Sequence, residues 1–184
     1  AILMNFTKQK SVDNERLSGD LITINPETFR RRTLDIGVTA KNLTELVNDS
    51  LDGTIYDIAQ VVYHLYKDIY KVATLKTKLW YVFDGLKWIQ SELGPYYELS
   101  ENVVEIYQNF IDKEIEKKTT VSEQITFYES TNECTDHERS ELKNSLKKID
   151  KTLFKTEKII LKLNNVNSKE AICKECLYLF YDYE

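Results

Sequence analysis

The chain has 184 residues, enough for one domain with a buried core, and a formal net charge of −5, which gives no global basic signal for nucleic acid. Its three cysteines are few and odd in number, which fits a reducing compartment better than a disulfide scaffold. No apolar run approaches the ~20 residues of a membrane helix, and the opening AILMNFTKQKS is too short and too polar for a signal peptide.

The first residue is Ala1 rather than methionine, so the chain reads as a piece of a longer protein. The sequons at Asn5, Asn42 and Asn48 mean little without secretion. Residues 1–33 lack sustained periodicity. Within them Ser18-Gly19-Asp20 reads as a turn, 21–24 as a short strand, and Arg30-Arg31-Arg32 as a solvated basic edge rather than a phosphate contact. Leu43, Leu46, Val47 and Leu51 give residues 39–51 a weak helical pattern that Asp52-Gly53 stops. Residues 1–53 are therefore expected to be an extension or linker, and 54–184 a domain.

Thr54 reads as an N-cap, with Asp57 at capping-box spacing. Ile55, Ile58, Ala59, Val62, Leu65 and Tyr66 follow at helical spacing, so the helix should end near Asp68. His64 sits in it without a second histidine or cysteine at metal spacing and reads as an ordinary histidine.

Residues 70–92 hold both tryptophans and the strongest turn signal. Two aromatic and aliphatic runs, 78–83 and 86–90, flank Asp84-Gly85, the signature of a two-residue type I′ hairpin. That turn sets Phe83 opposite Leu86, Val82 opposite Lys87, Tyr81 opposite Trp88 and Trp80 opposite Ile89. Leu79, Tyr81, Phe83, Leu86 and Trp88 then share one face, and Trp80, Val82 and Ile89 the other. Both faces are expected to be at least partly covered by helices, with Trp88 buried. Residues 69–75 add a third strand through a short loop at Lys76-Thr77.

After Gly94-Pro95, Ser100 is the expected cap of a helix with Glu101 in its first turn. Val103, Val104, Tyr107, Phe110, Ile111 and Ile115 form its apolar face, and residues 119–138 read as a long polar loop or a short helix. A long amphipathic helix is expected over about 136–163, striped by Leu142, Leu146, Ile149, Leu153, Ile160 and Leu163 and broken by Asn164-Asn165. Ser168 is the expected cap of a last helix that turns Ala171, Ile172, Cys176, Leu179 and Phe180 inward. The fold class is thus α+β and mostly helical: a small antiparallel hairpin or three-stranded meander packed by amphipathic helices, with a C-terminal antiparallel helical hairpin.

The chemistry of catalysis is poorly supplied. There is no GxxxxGK[ST] phosphate loop and no Gly-rich dinucleotide fingerprint. No acids alternate along an apolar strand, although Asp182 and Glu184 have that spacing at the terminus. Cys134-x-x-His137 and Cys173-x-x-Cys176 suit tetrahedral zinc by residue type and pair spacing. The expected long helix separates the two pairs by about 30 Å, so the cysteines read as helix-face thiols and no metal or cofactor is expected.

Charge is unevenly spread. Residues 139–163 hold eight basic residues against three acids, while 94–138 hold eleven acids against three lysines. Lys143, Lys147, Lys151, Lys155, Lys158 and Lys162 recur three or four apart and stack along one side of the expected helix. The stripe reads either as a solvated face or as a weak, sequence-independent, salt-sensitive DNA contact, and the acidic segment could neutralise it by packing against it.

Residues 56–90, YDIAQVVYHLYKDIYKVATLKTKLWYVFDGLKWIQ, resemble the domain just upstream of the superfamily-three helicase in poxvirus-type and giant-virus DNA primase–helicases. The resemblance rests on Tyr66-Lys67-Asp68, Trp80-Tyr81-Val82-Phe83 and Lys87-Trp88. It extends to 153–184 through Ile172-Cys173-Lys174-Glu175-Cys176 and Leu179-Phe180-Tyr181-Asp182. It implies a non-catalytic module between primase and helicase parts of a hexameric parent, supporting assembly or guiding DNA, in the host cytoplasm or at the site of viral replication. Both active sites of such a parent would lie outside this piece. The alternative is a protein-interaction domain of unrelated origin with no nucleic-acid role.

Overall fold

In the computed structural model, which describes residues 40–131 and 135–181, the core is built on the helix that Thr54 caps. The expectations placed on Ser18-Gly19-Asp20, 21–24, Arg30-Arg31-Arg32, Cys134, Asp182 and Glu184 lie outside the described residues. Helix α1, Ala40–Asp49, comes first, and Gly53, at φ +67°, donates its amide to the Ser50 carbonyl (2.8 Å) and closes the turn behind it. The described residues, α1 included, lie in one compact unit. Val47 is buried there, and Ser50 Oγ meets the Tyr107 hydroxyl at 2.7 Å.

Helix α2, Ile55–Tyr66, carries the expected capping box: Thr54 Oγ1 accepts from the Asp57 amide and Asp57 accepts from the Thr54 amide. Ile58, Ala59, Val61, Val62, Leu65 and Tyr66 are its buried face. The antiparallel sheet follows in sequence order: β1, Tyr70–Thr74, β2, Leu79–Phe83, and β3, Trp88–Ser91.

The register of the β2–β3 hairpin differs by two residues from the expected one: Phe83 faces Trp88, Val82 faces Ile89, Tyr81 faces Gln90 and Trp80 faces Ser91. The cause is the Asp84 side chain. Its Oδ1 accepts from the amides of Leu86 (2.7 Å) and Lys87 (2.9 Å), so the loop takes four residues instead of two. A shift of two preserves side-chain parity, so the two faces are as expected except that Leu86 leaves the sheet for solvent.

Trp80, not Trp88, is the buried tryptophan. Trp80 is 4% exposed, edge-on to Phe180 (5.4 Å) and Tyr70 (6.3 Å), whereas Trp88 is 39% exposed. The β1 edge is closed from the C-terminal end, where the Val72 amide donates to the Phe180 carbonyl (3.0 Å) and Val72 pairs with Tyr181.

Beyond the sheet, the helix begins at Tyr96 and not at Ser100. A short α3, Tyr96–Glu98, widens into a π-helical turn, Leu99–Val103, and runs on as α4, Val104–Thr131. Ser100 lies inside the π turn, and the segment expected to be a long loop or a short helix continues the same helix to Thr131. Its weak local pattern is overridden by a partner: α5, Asp136–Asn164, lies alongside α4. Thr135 and Glu138 form the capping box of α5. Its deepest residues are Thr156, Ile159 and Leu163, and Leu142, Leu146, Ile149, Leu153 and Ile160 are half-buried. The chain turns at Asn165 into α6, Val166–Leu179, which lies against α2. Asn165 rather than Ser168 is the cap, accepting from the Ser168 amide at 3.0 Å.

Candidate nucleic-acid interface

A nucleic-acid interface needs exposed ammonium or guanidinium groups in a row, without carboxylates that already neutralise them. Helix α5 puts Lys143, Lys147, Lys151, Lys155, Lys158 and Lys162 on one stripe, but packing divides the stripe into two parts.

Towards its C-terminal end the lysines are engaged. Lys155 Nζ sits 2.8 Å from Asp52 Oδ1, and Lys162 Nζ donates to the Gly53 carbonyl. Both bonds fix α5 to the turn between α1 and α2. The Lys155 hydrogen bond and charge hold the Asp52 carboxyl below the usual carboxylate range, and Lys151 adds to the effect. Lys158 Nζ lies over the ring of Phe154, 4.2 Å from its centroid.

Towards the N-terminal end Lys143, Lys147 and Lys151 are exposed. The acids of α4 do not cover them in the way the sequence left open. The ion pair that crosses between the two helices has the opposite sense, Lys118 of α4 with Asp150 of α5 at 2.7 Å. Glu114 is turned to Lys117 on its own helix. The exposed part of the stripe is therefore a three-lysine row about 12 Å long at 1.5 Å per residue, which spans a few phosphates.

The described members of the zinc-like pattern lie apart. His137 is exposed in the first turn of α5 beside Glu141 (3.8 Å), while Cys173 and Cys176 lie on α6, about 40 Å of helix further along the chain. Burial pushes the Cys173 thiol up to about 12 and raises that of Cys176. Among the described residues no group of three or more side chains could hold a metal ion. His64 is exposed on α2, its ring against Tyr63.

One half-buried polar group was not legible from spacing. Glu98, at the end of α3, accepts from the hydroxyls of Tyr66 (3.4 Å) and Tyr70 (3.2 Å) and from Asn102 within the π turn. Burial raises its carboxyl above the ordinary range, and the three donors offset part of that cost. The signal would have been Tyr66 and Tyr70 four residues apart at the junction of α2 and β1, but their acceptor is 28 residues beyond Tyr70.

No known protein-family profile matches the chain. It is similar to a helicase-named protein of Acanthamoeba polyphaga mimivirus, 28% identical over 137 residues. The match takes in 74% of this chain and 12% of that protein, so the chain spans only a small part of its relative's length. No helix among the described residues is long and apolar enough to cross a membrane.

Proposed function

We propose that this chain is a non-catalytic module of a viral DNA-replication protein with primase and helicase parts, and that it guides DNA along the exposed part of the α5 stripe. The observation that carries the reading is the row Lys143, Lys147 and Lys151, exposed and, among the described residues, without an ion pair to α4, in a chain whose net charge is −5. Similarity to a helicase-named giant-virus protein supports a nucleic-acid setting. The resemblance of 56–90 to the segment upstream of viral helicases supports its place between the two parts. Contacts to the phosphate backbone make such binding weak, sequence-independent and steeply dependent on salt. The piece itself hydrolyses no nucleotide and makes no primer, because its sequence carries neither a phosphate loop nor a paired-carboxylate strand.

Fluorescence anisotropy with single- and double-stranded oligonucleotides at about 50 and 200 mM salt tests the stripe. Lys143→Glu and Lys147→Glu combined should weaken binding strongly while leaving the Lys155 and Lys162 anchors intact. Equal binding by wild type and this variant, or no binding at low salt, reduces the stripe to a solvated face. ATP turnover above a mock preparation overturns the non-catalytic reading.

A further inference from the structure

The outer face of the sheet is a second place where aromatic rings and ammonium groups meet. Cross-strand pairing sets Phe83 beside Trp88, and sets Tyr81 between Lys71 and Gln90. Strand alternation puts all five on the face opposite Trp80. The Phe83 and Trp88 ring centroids are 5.3 Å apart, tilted by 44°, and Lys71 Nζ lies 5.4 Å from the Trp88 ring. Trp88, Lys71 and Gln90 are exposed, and Tyr81 and Phe83 are half-buried.

We propose that this face is a stacking platform for the bases of single-stranded nucleic acid. The inference rests on the nucleic-acid reading given above and adds to it the part of the ligand that the sheet would take.

Charge names the occupant. Among the strand residues on this face there is one charged side chain, Lys71, and no acid. A ring surface bordered by an ammonium and a carboxamide suits a base stacked beside its phosphate. Every base has a π face, so such a platform is tolerant of sequence. The neighbouring strand β3 is the end strand of the sheet, so an extended chain has a side from which to enter.

The test compares labelled oligothymidylate with an abasic oligomer of the same length, titrated with the 184-residue chain at about 50 mM salt. Wild type should bind oligothymidylate on the order of tenfold more tightly than the abasic oligomer. Trp88→Ala should remove that difference and leave abasic binding unchanged, and Trp88→Tyr should restore it. The stripe variant should weaken both oligomers alike. Equal binding of the two oligomers by wild type overturns the platform alone and needs no variant to be interpreted. Undiminished oligothymidylate binding by a folded Trp88→Ala chain also overturns it. Failure to bind either oligomer overturns the stripe reading as well. Self-association that Trp88→Ala abolishes in sedimentation, with no preference for bases, makes the face a contact between copies and overturns the proposal.

Discussion

Lys155 Nζ lies 2.8 Å from the Asp52 carboxylate, joining the C-terminal part of α5 to a turn 103 residues earlier in the chain. Lys162 makes the parallel bond to the Gly53 carbonyl, so two lysines of the stripe anchor α5 beside α1 and α2. Asp52 is held below its ordinary pKa of 3.8 by this partner. A depressed folded-state pKa contributes stability that is present above the unfolded value and lost as pH falls through the folded one. Carboxyl-carbon NMR should place the Asp52 midpoint below 3.8, and Lys155→Met should move it back up. An unmoved midpoint would mean that the pair does not persist in solution.

The two tryptophans should behave oppositely on truncation. Trp80→Ala empties a buried site between Tyr70 and Phe180 and should cost about 3–5 kcal/mol. Trp88→Ala should cost about 1 kcal/mol or less, because the ring is half in water already. Urea melts of the two variants measure the difference, and the reverse order would place the core on the wrong face of the sheet.

Gly94 lies against the flat of Trp80. A Cβ there would come 2.6 Å from Trp80 Cδ2, on a backbone with φ of +55°. Gly94→Ala should therefore destabilise by about 1–3 kcal/mol from backbone strain, with the ring contact added. In a Trp80→Leu background the contact part should vanish while the strain remains, which a double-mutant cycle separates.

Glu98 gives the fold a pH dependence opposite to that of Asp52. Its folded pKa is raised, by burial first, so the folded state holds the proton more tightly than the unfolded chain. Stability should rise as pH is lowered towards 4.5 and fall as pH rises through the folded value. Thermal midpoints of Glu98→Gln, whose side chain cannot ionise, should lack that component between the two values. Identical pH profiles for wild type and variant would show that the carboxyl is solvated.

How much was legible in the sequence depended on how local the cause was. Thr54 with Asp57 is a device four residues long, and so its helix start was readable. The hairpin faces were readable as well, since parity survives a shift of two. The register was not, because it hangs on which amides the Asp84 oxygen captures. Ser100 looked like a cap because a serine before an acid is a local signal. The π turn that swallows it places Glu98 and Asn102 together beneath Tyr66 and Tyr70, a grouping set by tertiary packing. The continuation of α4 to Thr131 was hidden for the same reason, its partner α5 supplying what its own pattern lacks. Of the lysine stripe, spacing located all six members. The division into anchors and an exposed row needed Asp52 and Gly53, more than a hundred residues away.

The paired helices α4 and α5 have one further consequence. Every buried residue of α4 lies at or before Glu114, and every buried residue of α5 at or after Thr156. Among the described residues, the remaining lengths, 115–131 and 136–155, carry no fully buried side chain and face each other with half-buried ones. Mechanically they are a cantilever about 25 Å long. Lys143 and Lys147 ride on its span, while Lys155 and Lys162 clamp its base. Load applied at the exposed lysines is thus delivered as torque to the Asp52-Gly53 turn, and amides along the span should exchange with solvent sooner than those at the root.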